Sequence, residues 1–216
     1  MGSVQMSELD LSEMTNLTSF QGKGCRIGKI NLRGSSALEK LDVSMSGSPC
    51  DMLLGGCTKI RSLKYSFSNV TMSDIHIGDL ADLEYLDCTS TGVKVLDLSN
   101  NHKLKEVQAS LNQLSDVKLS TQASYETLSL IENKLTKLDL RKIKVQTVHA
   151  DKNSLKKIML SPNTAYQEIS LYGNKLVKLD LRKVKVQTLK AEKNKLKEIR
   201  LSPNVSYKRS AWTITG

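Results

Sequence analysis

His149 and Asp151 stand two residues apart, and Ser129 and Ser170 lie 20 residues before and 21 after the histidine. A serine hydroxyl, an imidazole to take its proton and a carboxylate to orient the imidazole are the parts of nucleophilic acyl transfer. Gly22-Lys23-Gly24 has the look of a phosphate-loop fragment. Neither Gly-x-x-x-x-Gly-Lys-(Ser/Thr) nor Gly-x-Gly-x-x-Gly is completed around it. The four cysteines, Cys25, Cys50, Cys57 and Cys88, include no Cys-x-x-Cys. No Cys/His set has zinc-ligand spacing, so neither a metal nor another cofactor is expected. Cys50 and Cys57 share one segment, which leaves open a disulfide or two separate thiols.

What must position these groups is a repeat. Asn112, Asn133, Asn153, Asn174 and Asn194 are spaced 21, 20, 21 and 20 residues apart. Around each, apolar residues recur at −8, −5 and −3, at +2, and at +5 and +7. The −8 position runs through Leu17, Leu38, Ile60, Leu83, Leu104, Tyr125, Val145, Tyr166, Val186 and Tyr207, with spacings of 20 to 23. The +5/+7 pairs run from Leu9/Leu11 to Ile199/Leu201. Residues 135–175 and 176–216 align without a gap at 22 of 41 identical positions, a duplicated two-turn block. A period of 20 to 23 repeated this often means one short unit stacked into a solenoid. Alternation at −5 and −3 is strand period, and no stretch holds helical period for long. Ser161-Pro162-Asn163 and Ser202-Pro203-Asn204 read as turns.

The frame Leu-x-x-Leu-x-Leu-x-x-Asn-x-Leu, clearest in Tyr125–Leu140 and Tyr166–Leu181, resembles the leucine-rich repeat. With its short turns and paired Leu-Asp-Leu blocks, the chain is similar to bacterial surface leucine-rich repeat proteins of the internalin-like kind. The resemblance implies an α/β-type solenoid, mostly β and right-handed. It further implies a concave parallel sheet of about ten strands and a convex side of extended chain or short turns. A parallel β-helix is the rival fold, and the Asn position favours the leucine-rich reading. One domain over 1–216 is expected: a partial turn at 1–16, nine full repeats at 17–206, and a last strand or cap at 207–216. No N-terminal cap is visible, and Trp212 and Ile214 stand where Leu and Gly belong. Either the chain is a segment of a longer protein or Trp212 closes one end. Met1-Gly2-Ser3 reads as an appended remnant, so the lack of a visible signal peptide says nothing of location.

In this register each residue type acquires a job. A carboxamide carries donors and an acceptor, so Asn112, Asn133, Asn153, Asn174 and Asn194 should pair inward-pointing backbone groups and link turn to turn. Cys25, Ser46, Ser68 and Thr91 hold that place earlier, less completely, so the N-terminal half should be less regular. Cys25 and Cys88 are expected to face the core. His149 falls at −4, Asp151 at −2, and Ser129 and Ser170 at −4 on the flanking turns, all on one sheet face. A flat sheet whose amides are used in its ladder has no oxyanion donors, so no enzyme is expected.

The surface offers two candidate contact areas. Met45, Phe67 and Leu111 fall at −1, Ile131 at −2, and Tyr85 and Tyr172 on the same sheet as His149. Exposed apolar groups on a polar sheet mark a contact, though a side chain at the strand end can also fold back onto the scaffold. Charge is lopsided. Residues 135–216 hold 19 Lys+Arg against 6 Asp+Glu, and residues 1–134 hold 13 against 16. Arg141, Lys142 and Lys144, with their copies Arg182, Lys183 and Lys185, map to the convex return. They lack interleaved aromatics, so nucleic acid is not expected. No run of about 18 apolar residues crosses a membrane. The expected function is a non-enzymatic module, extracellular or on a bacterial cell surface, serving adhesion or host interaction. It would be a monomer that binds a protein through its concave face. A polysaccharide or other polyanion on the basic half is the alternative, and a ligand-free structural scaffold the third reading.

Overall fold

In the computed structural model the described residues are 5–12, 14–46, 49–162 and 164–201. Each turn contributes one strand to a nine-stranded parallel sheet that runs from Ser19–Gln21 to Lys185–Lys190. Frame positions pair with frame positions: Leu63 lies opposite Leu86, Val107 opposite Leu128, and Val148 opposite Ile169. The expected tenth strand, from Tyr207, lies outside the described residues, as do Trp212 and Ile214. The chain is a β-solenoid of about nine turns. The helical half of the expected α/β class has no counterpart. A single 3-10 turn, Ile77–Asp79, is the one helical element among the described residues. None of those residues forms a helix long and apolar enough to cross a membrane.

The return side is more ordered than bare extended chain. Gln5–Asp10, Arg26–Asn31, Cys50–Leu53 and Val70–Thr71 form a second parallel sheet. Later returns pair only two by two: Val95–Leu98 with Asp116–Leu119, Lys137–Asp139 with Lys157–Met159, and Lys178–Asp180 with Glu198–Arg200. The second sheet ends in the longest spacing, the 23 residues from Ile60 to Leu83. There a side chain replaces the ladder. Asp74 accepts hydrogen bonds from the amides of Leu54 (2.9 Å) and Gly55 (3.0 Å) and from Arg33 Nε (2.9 Å). Backbone donors that lose a strand partner must find another acceptor, and the carboxylate supplies it.

The core is a stack of aliphatic rungs, and its composition explains the two-turn period. At −8 and −3 the rungs alternate large and small: Tyr125 with Leu130, Val145 with Ala150, Tyr166 with Leu171, Val186 with Ala191, all buried. Interleaved large and small layers fill a shared interior without overlap. Each large tyrosine also has a polar duty. The amides of Ser120 and Ser161 donate to the phenol oxygens of Tyr125 (3.1 Å) and Tyr166 (3.0 Å). The small-rung turns close that corner by a tight backbone turn instead. Ile143 N donates to Leu140 O and Val184 N to Leu181 O, both at 3.1 Å.

The asparagine side chains bond to their own turn and to the turn before it. Asn153 Nδ2 donates to Leu130 O of the preceding turn (2.8 Å) and to Ala150 O of its own (3.2 Å). Its Oδ1 accepts the amide of Leu135, again one turn back, at 3.0 Å. Asn133, Asn174 and Asn194 repeat the pattern on Ala109 and Leu114, Ala150 and Leu155, and Leu171 and Leu176. Asn112 does so on Cys88 O and Val93 N. Ser46 and Ser68 donate only to carbonyls of their own turns, Val43 and Tyr65, while Thr91 donates to Cys88 O of its own turn and also reaches Asn112 Oδ1 of the following turn at 3.2 Å. A serine hydroxyl at this place does not reach the backbone of the neighbouring turn, as the longer carboxamide does. A second corner, unread in the sequence, uses the same device: Ser35 donates to Leu11 O, Cys57 to Leu32 O, and Asn101 to Ile77 O.

Candidate functional site

The residue at −1, just before each ladder position, adopts a left-handed backbone in all nine turns. The series is Gly24, Met45, Phe67, Ser90, Leu111, Glu132, Lys152, Gly173 and Lys193, with φ between +51° and +73°. The strand must reverse its pleat there so that the next side chain points into the core. Glycine meets that demand freely, whereas a residue with a Cβ is strained by roughly 1–2 kcal/mol. Only Gly24 and Gly173 among the nine are glycine, too few to mark the column in the sequence. The backbone ladder holds it in line: Met45 N donates to Ser66 O, Phe67 N to Thr89 O, Ser90 N to Ser110 O and Leu111 N to Ile131 O, at 2.7 to 2.9 Å.

Three of the strained positions carry large apolar side chains. Met45 is 53% exposed, Phe67 50% and Leu111 43%, so none folds back into the scaffold. Beside Phe67 the surface dips into a shallow depression of about 480 Å³, lined by Ser46, Pro49, Ser68, Asn69, Ser90 and Thr91. Small Ser90 makes the dip, because its neighbours in the column are Phe67 and Leu111. Ile131, Tyr85 and Tyr172 are half-buried. The two tyrosines are met by cations of the same sheet. Lys64 Nζ stands 4.8 Å from the Tyr85 ring centre and Lys193 Nζ 5.1 Å from that of Tyr172. Burial pushes the Tyr85 phenol up, and the carboxylates of Asp87, Glu106 and Asp42 push the same way.

The residues that imitate a catalytic triad are brought onto one face but not into one relay. Ser129, His149 and Ser170 are register partners. Yet Ser129 Oγ shares a hydrogen bond with Ser110 Oγ (2.8 Å), and Ser170 Oγ donates to Asp151 Oδ1 (2.5 Å). Asp151 Oδ1 also accepts the amide of Tyr172 at 2.8 Å. His149 Nε2 faces Glu168 Oε1 at 3.4 Å instead of a serine. The hydrogen bond from Lys190 holds the Glu168 carboxyl below its usual range. Neighbouring amides are spent in the ladder, Leu130 N on His149 O and Ala150 N on Ser170 O.

Cys50, Cys57 and Cys88 are buried and free, while Cys25, expected in the core, is only half-buried. Its turn contributes the edge strand Ser19–Gln21 and is covered on one side only, whereas Ser46, Ser68 and Asn112 at the same frame position are buried between turns. Burial pushes the thiols of Cys50 and Cys57 up to about 11 and that of Cys88 to about 12. A buried thiol with a raised pKa offers almost no thiolate at pH 8. A disulfide-exchange reagent at that pH should therefore label one thiol in native protein, Cys25, and the other three only in denaturant. Rapid native labelling of Cys88 would show that the fourth turn is misplaced.

A comparison of this chain with protein-family models, with curated proteins and with solved structures found no match in any of the three.

Proposed function

We propose that the chain is a non-enzymatic binding module of the leucine-rich repeat kind, a right-handed solenoid whose nine-stranded sheet is the concave face. It serves a secreted or cell-surface bacterial protein and takes a protein partner at Met45, Phe67 and Leu111. Ile131, Tyr85, Tyr172 and His149 flank that contact. The cross-turn asparagine ladder supports the repeat type. One observation carries the site: bulky apolar side chains occupy a column whose backbone favours glycine, and they occupy it exposed. Each costs the fold twice, in backbone strain and in unburied apolar surface. An aromatic beside a depression and ringed by small residues is the usual form of a contact anchor.

Strain and contact make opposite demands at Phe67, which gives the test. Phe67→Gly should leave stability unchanged or raise it by up to about 1 kcal/mol, because glycine relieves the left-handed backbone. A photo-crosslinking phenylalanine analogue at position 67, presented to intact cells, should capture one discrete protein. Leu111→Ala should abolish that capture, and the same analogue at Lys142 on the return side should not show it. Equal capture at both positions, or a fall of many degrees in melting temperature for Phe67→Gly, would return these residues to the scaffold.

A further inference from the structure

The chain has a regular way of neutralising charge. A cation on one turn meets a carboxylate on the turn before. Lys29 pairs with Glu8, Lys103 with Asp82, Lys105 with Glu84, Lys118 with Asp97, Lys152 with Glu132, and Lys190 with Glu168, at 2.5 to 2.9 Å. The corner just after the asparagine ladder departs from this in the last four described turns. Lys134, Lys137, Lys156, Lys157, Lys175, Lys195 and Lys197 are exposed there. None of the seven has an ion-pair partner among the described residues; the nearby Lys178 meets Glu198.

The backbone fixes these lysines in rows. Lys134 N donates to Leu114 O, Lys156 N to Thr136 O, Lys175 N to Leu155 O, Lys195 N to Leu176 O and Lys197 N to Val177 O, at 2.9 to 3.0 Å. This corner ladder repeats at the strand spacing of roughly 4.8 Å, so four turns set the ammonium groups along roughly 14 Å. Lys137 and Lys157 are directly opposed in their strand pair, a like-charge placement that destabilises a sheet. Duplication alone does not explain the strip, because Lys195 stands where the other copy of the block has Ser154. The arginines that look most available are not free. Arg141 and Arg182 each grip their own turn's aspartate, Asp139 and Asp180, at 2.6 Å, and hold those carboxyls down to about 2.

We propose that this lysine strip is a binding site for a linear anionic polysaccharide, laid along the solenoid axis across four turns. A row of ammonium groups at fixed pitch matches a polymer carrying a carboxylate or sulfate on successive sugars. The strip has no aromatic residue on which a base would stack, which favours a glycan over a single-stranded nucleic acid. The site is separate from the apolar contact on the nine-stranded sheet, and each stands without the other.

Dextran sulfate is the probe, with neutral dextran and single-stranded DNA of matched charge as comparisons. The native chain should bind dextran sulfate in low salt and release it steeply as salt rises. The fourfold variant Lys134→Gln, Lys156→Gln, Lys175→Gln, Lys195→Gln should lose affinity by at least about tenfold, since each lost ammonium removes one counterion-releasing contact. The variant Lys142→Gln, Lys144→Gln, Lys183→Gln, Lys185→Gln removes the same charge elsewhere and should change affinity less than about threefold. All eight residues are exposed, so both variants should keep the native melting temperature. Equal losses from the two variants would mean that net charge alone attracts the polymer, and the strip would fall. Tighter binding of DNA than of dextran sulfate, or undiminished binding of neutral dextran, would overturn the polysaccharide assignment.

Discussion

Asn153→Ala will destabilise the protein by about 2–4 kcal/mol, and Lys152→Ala, one residue away, by no more than about 0.5 kcal/mol. Asn153 is buried and joins two turns: it serves Leu130 O and Leu135 N on one and Ala150 O on the other. Alanine leaves these groups unpaired where no water reaches them, and each buried orphan costs most of its desolvation. Lys152 is exposed and makes one ion pair, to Glu132, of the kind that contributes little at a surface. Urea midpoints compare the two directly. Ser68→Ala belongs in the same series with a smaller loss, about 1 kcal/mol, because the Ser68 hydroxyl serves only a carbonyl of its own turn. Equal midpoints for Asn153→Ala and Lys152→Ala would remove the ladder from the account of stability.

Ala150→Leu should cost about 2–3 kcal/mol, although it adds only apolar atoms to an apolar core. Ala150 is fully buried at the −3 position, and the rungs on either side carry Leu130 and Leu171. Three large residues in succession leave no small layer for the others to interlock with. Leu171→Ala alone should cost a similar amount by opening a cavity. The two changes combined exchange large for small between neighbouring rungs and should cost clearly less than their sum. Denaturation of the two single variants and the double variant measures that coupling. If Ala150→Leu proves neutral, the 41-residue period is a trace of duplication with no packing content.

The architecture was legible because its causes are periodic. Strand alternation, the recurring asparagine and the returning leucine pair each follow from a rung that cannot bury its own face. The asparagine contacts followed from counting the donors and acceptors of a carboxamide. What escaped lies where identity varies across turns while geometry stays constant. The left-handed column holds Met, Phe, Ser, Leu, Glu and Lys as well as two glycines, so no composition signal marks it. Ser35, Cys57 and Asn101 share a corner role that no common residue type announces. Cys25 was expected in the core by its frame position alone, and frame position does not tell an edge turn from one stacked on both sides. The Ser-His-Asp grouping was correctly placed on one face. Its partition into Ser129 with Ser110, Ser170 with Asp151, and His149 with Glu168 depends on side-chain torsions that spacing does not encode.

The change from hydroxyl to carboxamide along the ladder divides the chain into two materials. From Asn112 to Asn194 each turn is riveted to the one before it by side-chain bonds in both directions, donor and acceptor. Around Ser46 and Ser68 the ladder side chain closes its own loop, and the joint is carried by backbone, core and other side chains, Ser66 with Ser44 and Asp74 with Leu54 and Gly55. The ladder therefore changes character along the axis, from bonds within a turn to bonds between turns. The exposed Met45 and Phe67 project from that stretch, where the ladder residue beneath each of them bonds only within its own turn.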